Sequence, residues 1–346
     1  MSLASARPLC VFFLAGLLLA SRGALAADPA LVAAAEKEGQ LVVYGCDPPE
    51  TPGYIKQFME KYPKIKVSSY LAGCWQIYNR HVTERGAGKP VASVYFSIDD
   101  ALSKMQSEGL LEPYRSTELA NFPAAARVPG VDYMLVKVLL LGMTSNTEFT
   151  KGLPAPKDWF DFANPPPEWK NKITFYDPRT SSAAFSLLAA LYQNFGPERA
   201  GQIYKGLRSA GAELAPTTPV GMSKLLSGEK PIMFYIPNNH FSGAVAKGAP
   251  LEFVVPTSGG VVINFGIAVL KDAPQPNAAK LFVDWMLNEG QSYIASRNEY
   301  ALHNGMPPPH GMPSLSSVKL LPLDVPKALA QQKTLINWWQ DITNIH

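Results

Sequence analysis

Cysteine is scarce in this 346-residue chain, with only Cys10, Cys46 and Cys74 present. None of them forms a Cys-x-x-Cys pair, so the redox and zinc motifs built on that spacing are missing. The chain also lacks a Gly-x-Ser-x-Gly elbow, a Walker loop and a His-Glu-x-x-His helix. Those absences remove the common signatures of serine hydrolases, nucleotide hydrolases and zinc proteases. Charge of one sign is lacking too: 31 basic residues face 28 acidic ones, without the strong basic excess of a nucleic-acid binder. Finally, no apolar run approaches the roughly 20 residues of a membrane helix; residues 9–20 make a short run and later ones are interrupted by charge or proline.

That short run has a meaning of its own. A basic start ending at Arg7, the apolar stretch 9–20 and the small-x-small sequence Ala24-Leu25-Ala26 before Asp28 have the layout of a secretory signal peptide, 1–26. Cys10 lies too far upstream of the cleavage position to be a lipoprotein cysteine. The expectation is therefore a periplasmic protein without an anchor. Arg7 and Arg22 leave with the leader, and 29 bases then face 28 acids. The remaining length exceeds what one hydrophobic core usually holds, so two lobes are expected. In an oxidising compartment Cys46 and Cys74 most simply form a disulfide, with buried free thiols or a thiol site for a soft metal as alternatives.

Along the chain, helices alternate with short apolar strands. Asp28-Pro29 starts a helix that stops at Gly39. Strands follow at 41–44, 65–70 and 93–98, separated by helices carrying Tyr54, Phe58 and Tyr62, then Trp75, Tyr78 and Val82. This alternation implies a parallel sheet covered by helices. The apolar stretch 133–143 breaks the rhythm and reads as a strand leaving the first lobe. A second alternating region has strands at 173–176 and 231–236 and helices through Phe185 and near 198–209. Strand 261–270 leads back to a helical C-terminal region, and the proline-rich 304–326 reads as an ordered surface wrap. The expected fold is α/β with two lobes, 27–142 plus 263–346 and 143–262, around a hinged cleft. Open α/β sheets bind ligands beyond the carboxyl ends of their strands, and two such lobes face one cleft.

One stretch is more specific. Leu225-Leu226-Ser227-Gly228-Glu229-Lys230-Pro231-Ile232-Met233-Phe234-Tyr235 is followed by Lys247-Gly248-Ala249-Pro250-Leu251, by Lys271-Asp272-Ala273-Pro274-Gln275-Pro276-Asn277-Ala278-Ala279 and by Gly290-Gln291. Together with Trp159 and Trp169-Lys170-Asn171-Lys172-Ile173, this closely resembles the extracellular solute-binding proteins of ATP-driven importers, in their ferric-iron-like branch. The resemblance implies a type II periplasmic-binding fold, no enzymatic activity, no cofactor, and a monomer that passes a small molecule to an inner-membrane ABC permease. A ligand-dependent partnership with a sensor kinase is the other role it leaves open. In the ferric members this region resembles Asn-Asn-Tyr-Tyr, with adjacent phenolates on the metal. Here it reads Asn238-Asn239-His240-Phe241, which speaks against ferric iron and leaves no metal site expected.

Strand ends supply the candidate ligand residues. From the first lobe come Asp47 beside Cys46, Trp75 beside Cys74, and Ser97 near Asp99. From the second come Arg179, Ser181 and Ser182, with Tyr235 and Asn238 further on. Hydroxyls and free N–H groups at a helix start suit an anion, and Arg179 suits a bidentate grip on a carboxylate or phosphonate. The alternative reading is that Ser181 or Ser182 simply caps the helix. An organic cation is the runner-up, resting on Asp47, Asp99, Trp75 and Tyr235.

Overall fold

The computed structural model describes residues 27–46 and 51–345. The leader 1–26 and Asp47 lie outside the described residues. The chain opens with helix α1 (Pro29–Glu38), where the Asp28 carboxylate accepts from the Ala30 N–H and Gly39 ends the helix at φ 67°. Strand β1 (Gln40–Gly45), α2 (Thr51–Lys61), β2 (Lys66–Leu71), α3 (Cys74–Gly86), β3 (Val94–Ile98) and α4 (Asp99–Ser107) follow. Strand β1 pairs in parallel with both β2 and β3, as the alternation predicts.

Strand β4 (Met134–Asn146) is buried along its whole length, which explains its largely apolar character, interrupted by Lys137. Beyond it come β5 (Ile173–Tyr176), α5 (Ser182–Ser209), β6 (Glu213–Ala215), α6 (Thr218–Ser227), β7 (Ile232–Pro237), α7 (Asn238–Val245) and β8 (Leu251–Val254). The two helices expected around 185–192 and 198–209 are both present and meet end to end within α5, separated at Gly196, whose φ of 77° and ψ of 166° are non-helical, just before Pro197. Strand β6 is a three-residue edge strand too short to show a sequence pattern. It pairs in parallel with β5, which pairs in parallel with β7.

The return path is β9 (Val261–Val269), followed by α8 (Pro276–Leu287), α9 (Gly290–Ser296), β10 (Tyr300–Ala301), α10 (Val325–Ala330) and α11 (Gln332–Thr343). All ten strands join one curled sheet with central order β2-β1-β3-β9-β4-β7-β5-β6. Its two parallel ends are stitched together by antiparallel pairing. The first part of β4 runs against β9 from Met134 opposite Ile267 to Leu141 opposite Val261, and its later part pairs with β7 and β8. At Gly142 a Cβ would lie 2.5 Å from the Phe253 ring, so only glycine lets β8 approach there.

Aromatic groups pack at both ends of the one continuous core. Phe58 meets Phe282 and Trp285 at ring-centroid distances of 4.9 and 5.7 Å on one side. On the other, Phe234 packs against Trp159 at 5.3 Å and Phe162 at 4.9 Å. The C-terminal tail touches both halves: α11 packs along α5, with Trp338 against Tyr192 at 4.9 Å, and α10 packs against α4.

Candidate ligand cleft

The carboxyl ends of β3 and β7 both reach the crossing strands, since Ile98 lies opposite Phe265 and Pro237 opposite Leu141. The segments that meet in the cleft are those after β2 and β3 on one side and the turn after β5 on the other, whereas β7 runs straight into α7. A cavity of about 100 Å³ there is lined from one lobe by Trp75 and Asp100, and from the other by Pro178, Arg179, Thr180, Ser181, Ser182 and Phe185. Leu329 and Gln332 of the C-terminal tail complete its wall. A second cavity of about 290 Å³ lies over the crossing strand β9, bounded by Asp99, Asp100, Ser186, Asn264 and residues 320–323. Asp100 borders both.

The turn leading into α5 is tightly built. Ser181 caps the helix, its hydroxyl accepting from the Ala184 N–H at 3.2 Å. The Asp177 carboxylate accepts from the backbone N–H of Arg179 at 2.8 Å and from its guanidinium at 3.0 and 2.6 Å. Arg179 is thus no free fork waiting for a ligand: one edge is already bidentate on Asp177, which keeps the guanidinium firmly charged. Its guanidinium carbon also lies 5.6 Å from the centroid of the Trp339 ring. Ser182, the first helical residue, is exposed on the cavity wall.

Opposite this turn, Trp75 is half-buried and set edge-on to Tyr78 at 5.7 Å, leaving it on the cavity wall. Cys46 and Cys74 are joined in a disulfide with Cα atoms 4.5 Å apart, tying the end of β1 to the start of α3. Ser97 is fully buried behind it, its hydroxyl 3.1 Å from the Cys46 sulfur. It supports the wall and does not line the cavity.

Two further expectations are corrected by packing. Tyr235 is buried in the second lobe's core, 5.4 Å from the Tyr176 ring and 6.1 Å from Phe234, so its ring has no free face for a ligand. Burial pushes its phenol well above the ordinary tyrosine range, with the Ser181 hydroxyl beside it. Asn238 is also fully buried: its oxygen accepts from the Leu140 N–H at 2.9 Å, and its nitrogen donates to the Asn298 carbonyl at 3.1 Å. It braces the crossing strand against the first lobe. Asp99 is held by Tyr133 and by the Asn264 amide at 3.2 Å. His240 is exposed, whereas Phe241 is buried against Phe253 at 5.2 Å.

The residues that sequence reading missed are Asp100, Leu329 and Gln332. Asp100 is adjacent to Asp99, named above for the organic-cation reading, but nothing local tells which carboxylate faces the cleft. Only 8 % of it is exposed, and burial, with the charge of Asp99 adding to it, pushes its carboxyl up to about 7. Leu329 and Gln332 carry no motif; they reach the cavity only because the tail folds back.

Comparison with known proteins fits this geometry. Residues 90–322 match the family described as "Bacterial extracellular solute-binding protein". An uncharacterized protein of Haemophilus influenzae is 31% identical over 286 residues, covering 78% of this chain and 80% of the relative. The major ferric iron-binding protein of Neisseria gonorrhoeae is 25% identical, over 87% and 91% of the two chains. Among solved structures, periplasmic binding protein AfuA from Actinobacillus pleuropneumoniae, with exogenous fructose-6-phosphate bound, is 27% identical with a TM-score of 0.75, covering 89% of this chain and 99% of that one. Iron-bound HitA from Pseudomonas aeruginosa is 25% identical with a TM-score of 0.73, covering 88% and 99%. With its two-lobed fold and a cleft walled from both lobes, the chain belongs to the bacterial extracellular solute-binding proteins.

Proposed function

We propose that this solute-binding protein captures a small organic anion between Trp75 and Asp100 on one lobe and the 179–182 turn on the other. Binding proteins of this kind deliver small ligands to membrane ABC permeases; they are not enzymes. The observation that carries the anion is the start of α5 opening into a cavity lined from both lobes. A helix N-terminus offers unpaired N–H groups and a positive dipole end, and the exposed Ser182 and Thr180 add hydroxyls. The fructose-6-phosphate held by AfuA supports a phosphorylated or carboxylated solute.

The competing ligands fit less well. The organic-cation reading rests on four groups. Of these, Tyr235 is locked in the core and Asp99 is engaged by Tyr133 and Asn264. A ferric site wants several hard anionic oxygens. At the matching turn Phe241 offers none, and Tyr176 and Tyr235 are both held as neutral phenols by burial.

The test is thermal unfolding and calorimetry against sugar phosphates, phosphonates, carboxylates, organic cations and ferric ion. A ligand at about 100 times its Kd should stabilise the fold by roughly 2.7 kcal/mol. Arg179→Ala should weaken an anionic ligand at least tenfold, about 1.4 kcal/mol, because it also leaves the Asp177 carboxylate uncompensated at the start of α5. Unchanged affinity would remove the anion site.

A further inference from the structure

The C-terminal tail is built as part of the second lobe. Gly260 donates to the Lys319 carbonyl at 2.9 Å and accepts from the Leu321 N–H at 2.8 Å, making a one-residue parallel bridge. Asn194 donates to the Pro322 carbonyl at 2.7 Å. Gln193 and Asp324 exchange two bonds, the side-chain amide donating to the Asp324 carbonyl at 3.0 Å and accepting from its N–H at 2.9 Å. Further on, the Arg208 guanidinium holds the Thr343 carbonyl at 3.1 Å. These anchors sit on α5 and beside β9, so the tail is fastened to the helix that the turn at 179–182 opens.

From that base the tail reaches the other lobe. Helix α10 lies against α4, and a cavity of about 420 Å³ separates Pro326, Leu329 and Ala330 from Trp75, Ser103 and Lys104. The α10–α11 junction therefore spans the mouth of the cleft, presenting Leu329 and Gln332 to the cavity that holds Arg179, Ser182, Trp75 and Asp100. Besides the 179–182 turn, the polar side chains that line this cavity are the Gln332 amide, which both donates and accepts, and the Asp100 carboxyl. Such a pair recognises hydroxyl groups on a carbon body, while the start of α5 holds the charged end.

We propose that the tail is a specificity wall of the ligand site, with Gln332 reading the hydroxylated body of an anionic solute and Leu329 covering it. This rests on the anion reading of the cleft, and it narrows that reading from any small organic anion to polyhydroxylated ones such as sugar phosphates. Because the tail is fastened to α5, the spacing between Gln332 and the anion-holding turn stays constant as the lobes move. The solute's length is then measured within one lobe before closure.

The experiment has two arms. Calorimetry compares hydroxylated anions (fructose 6-phosphate, glycerol 3-phosphate, gluconate) with bare ones (inorganic phosphate, acetate) in wild type, Gln332→Ala and Gln332→Asn. The expected result is at least a fivefold loss for hydroxylated anions in Gln332→Ala, little change for bare ones, and partial recovery in Gln332→Asn. Equal losses for both classes, or none, would overturn the specificity role. In the second arm Gln332→Cys carries a bimane label and its quenching by Trp75 is read in the ligand-free protein, with Trp75→Phe as reference. Quenching that vanishes with Trp75 supports the tail's place at the cleft, and quenching independent of Trp75 overturns it. If no panel anion binds wild type, the anion reading fails and the optical arm alone decides for the tail.

Discussion

Asp100 is the residue whose chemistry depends most on the fold. A carboxyl moved from about 4 to about 7 carries roughly 4 kcal/mol. The sign follows from which state holds the proton. Between those values the native chain keeps a proton that the unfolded chain has released, so stability is full at low pH and declines as pH rises through the window. Asp99 beside it adds like charge and deepens the effect, while Arg179 lies across the cavity. Asp100→Asn, neutral at every pH, is expected to flatten the melting temperature between pH 5 and 8 where wild type falls. A wild-type profile already flat over that range would show that the carboxyl is ionised and solvated.

At the scale of elements, the crossing strand β4 is fastened by a buried charge. Lys137 donates to both carboxylate oxygens of Glu299 at 3.0 Å, with side chains 0% and 1% exposed, and Tyr54 donates to the same carboxylate at 3.2 Å. The ammonium also lies 4.7 Å from the Phe265 ring centroid on β9. Such a pair is costly to desolvate, so its net contribution is small, but breaking it strands a charge in the core. Lys137→Met alone is expected to destabilise by about 3–5 kcal/mol, and the double change Lys137→Met with Glu299→Leu to recover most of that loss. Chemical denaturation of the three variants checks this; a double variant as unstable as the single one would mean that the pair itself stabilises. The disulfide acts at the same scale, holding the ends of β1 and α3 together so that Trp75 faces the α5 turn.

For the whole molecule, the parallel ends of the sheet are joined through β4 and β9, the strands that cross between the two lobes. That arrangement suits hinge motion, because the lobes can rotate with little repacking inside either. Small-angle scattering should show the radius of gyration falling on ligand binding by on the order of 1 Å, from the roughly 20 Å expected of a chain this long. An unchanged radius at saturating ligand would mean that capture occurs without closure.

The sequence by itself determined the local and periodic features. Asp28-Pro29 and Gly39 bounded α1, Ser181 capped α5, and the apolar stretch around 133–143 marked a strand with no solvated face. These are legible because their causes lie within a few residues. The two-lobed fold was legible too, through length, alternation and the Gly228-Glu229 and Pro274–Asn277 segments. What a side chain faces was decided only by tertiary structure. Tyr235 looked ligand-facing until Tyr176, 59 positions before it, closed against its ring, whereas the grip of Asp177 on Arg179 is a local contact that the sequence reading passed over. Lys137 and Glu299 are 162 positions apart, and Gln332 lies 153 positions beyond Arg179. No short-range pattern can encode such meetings, because they depend on how elements distant in the chain fill one another's space.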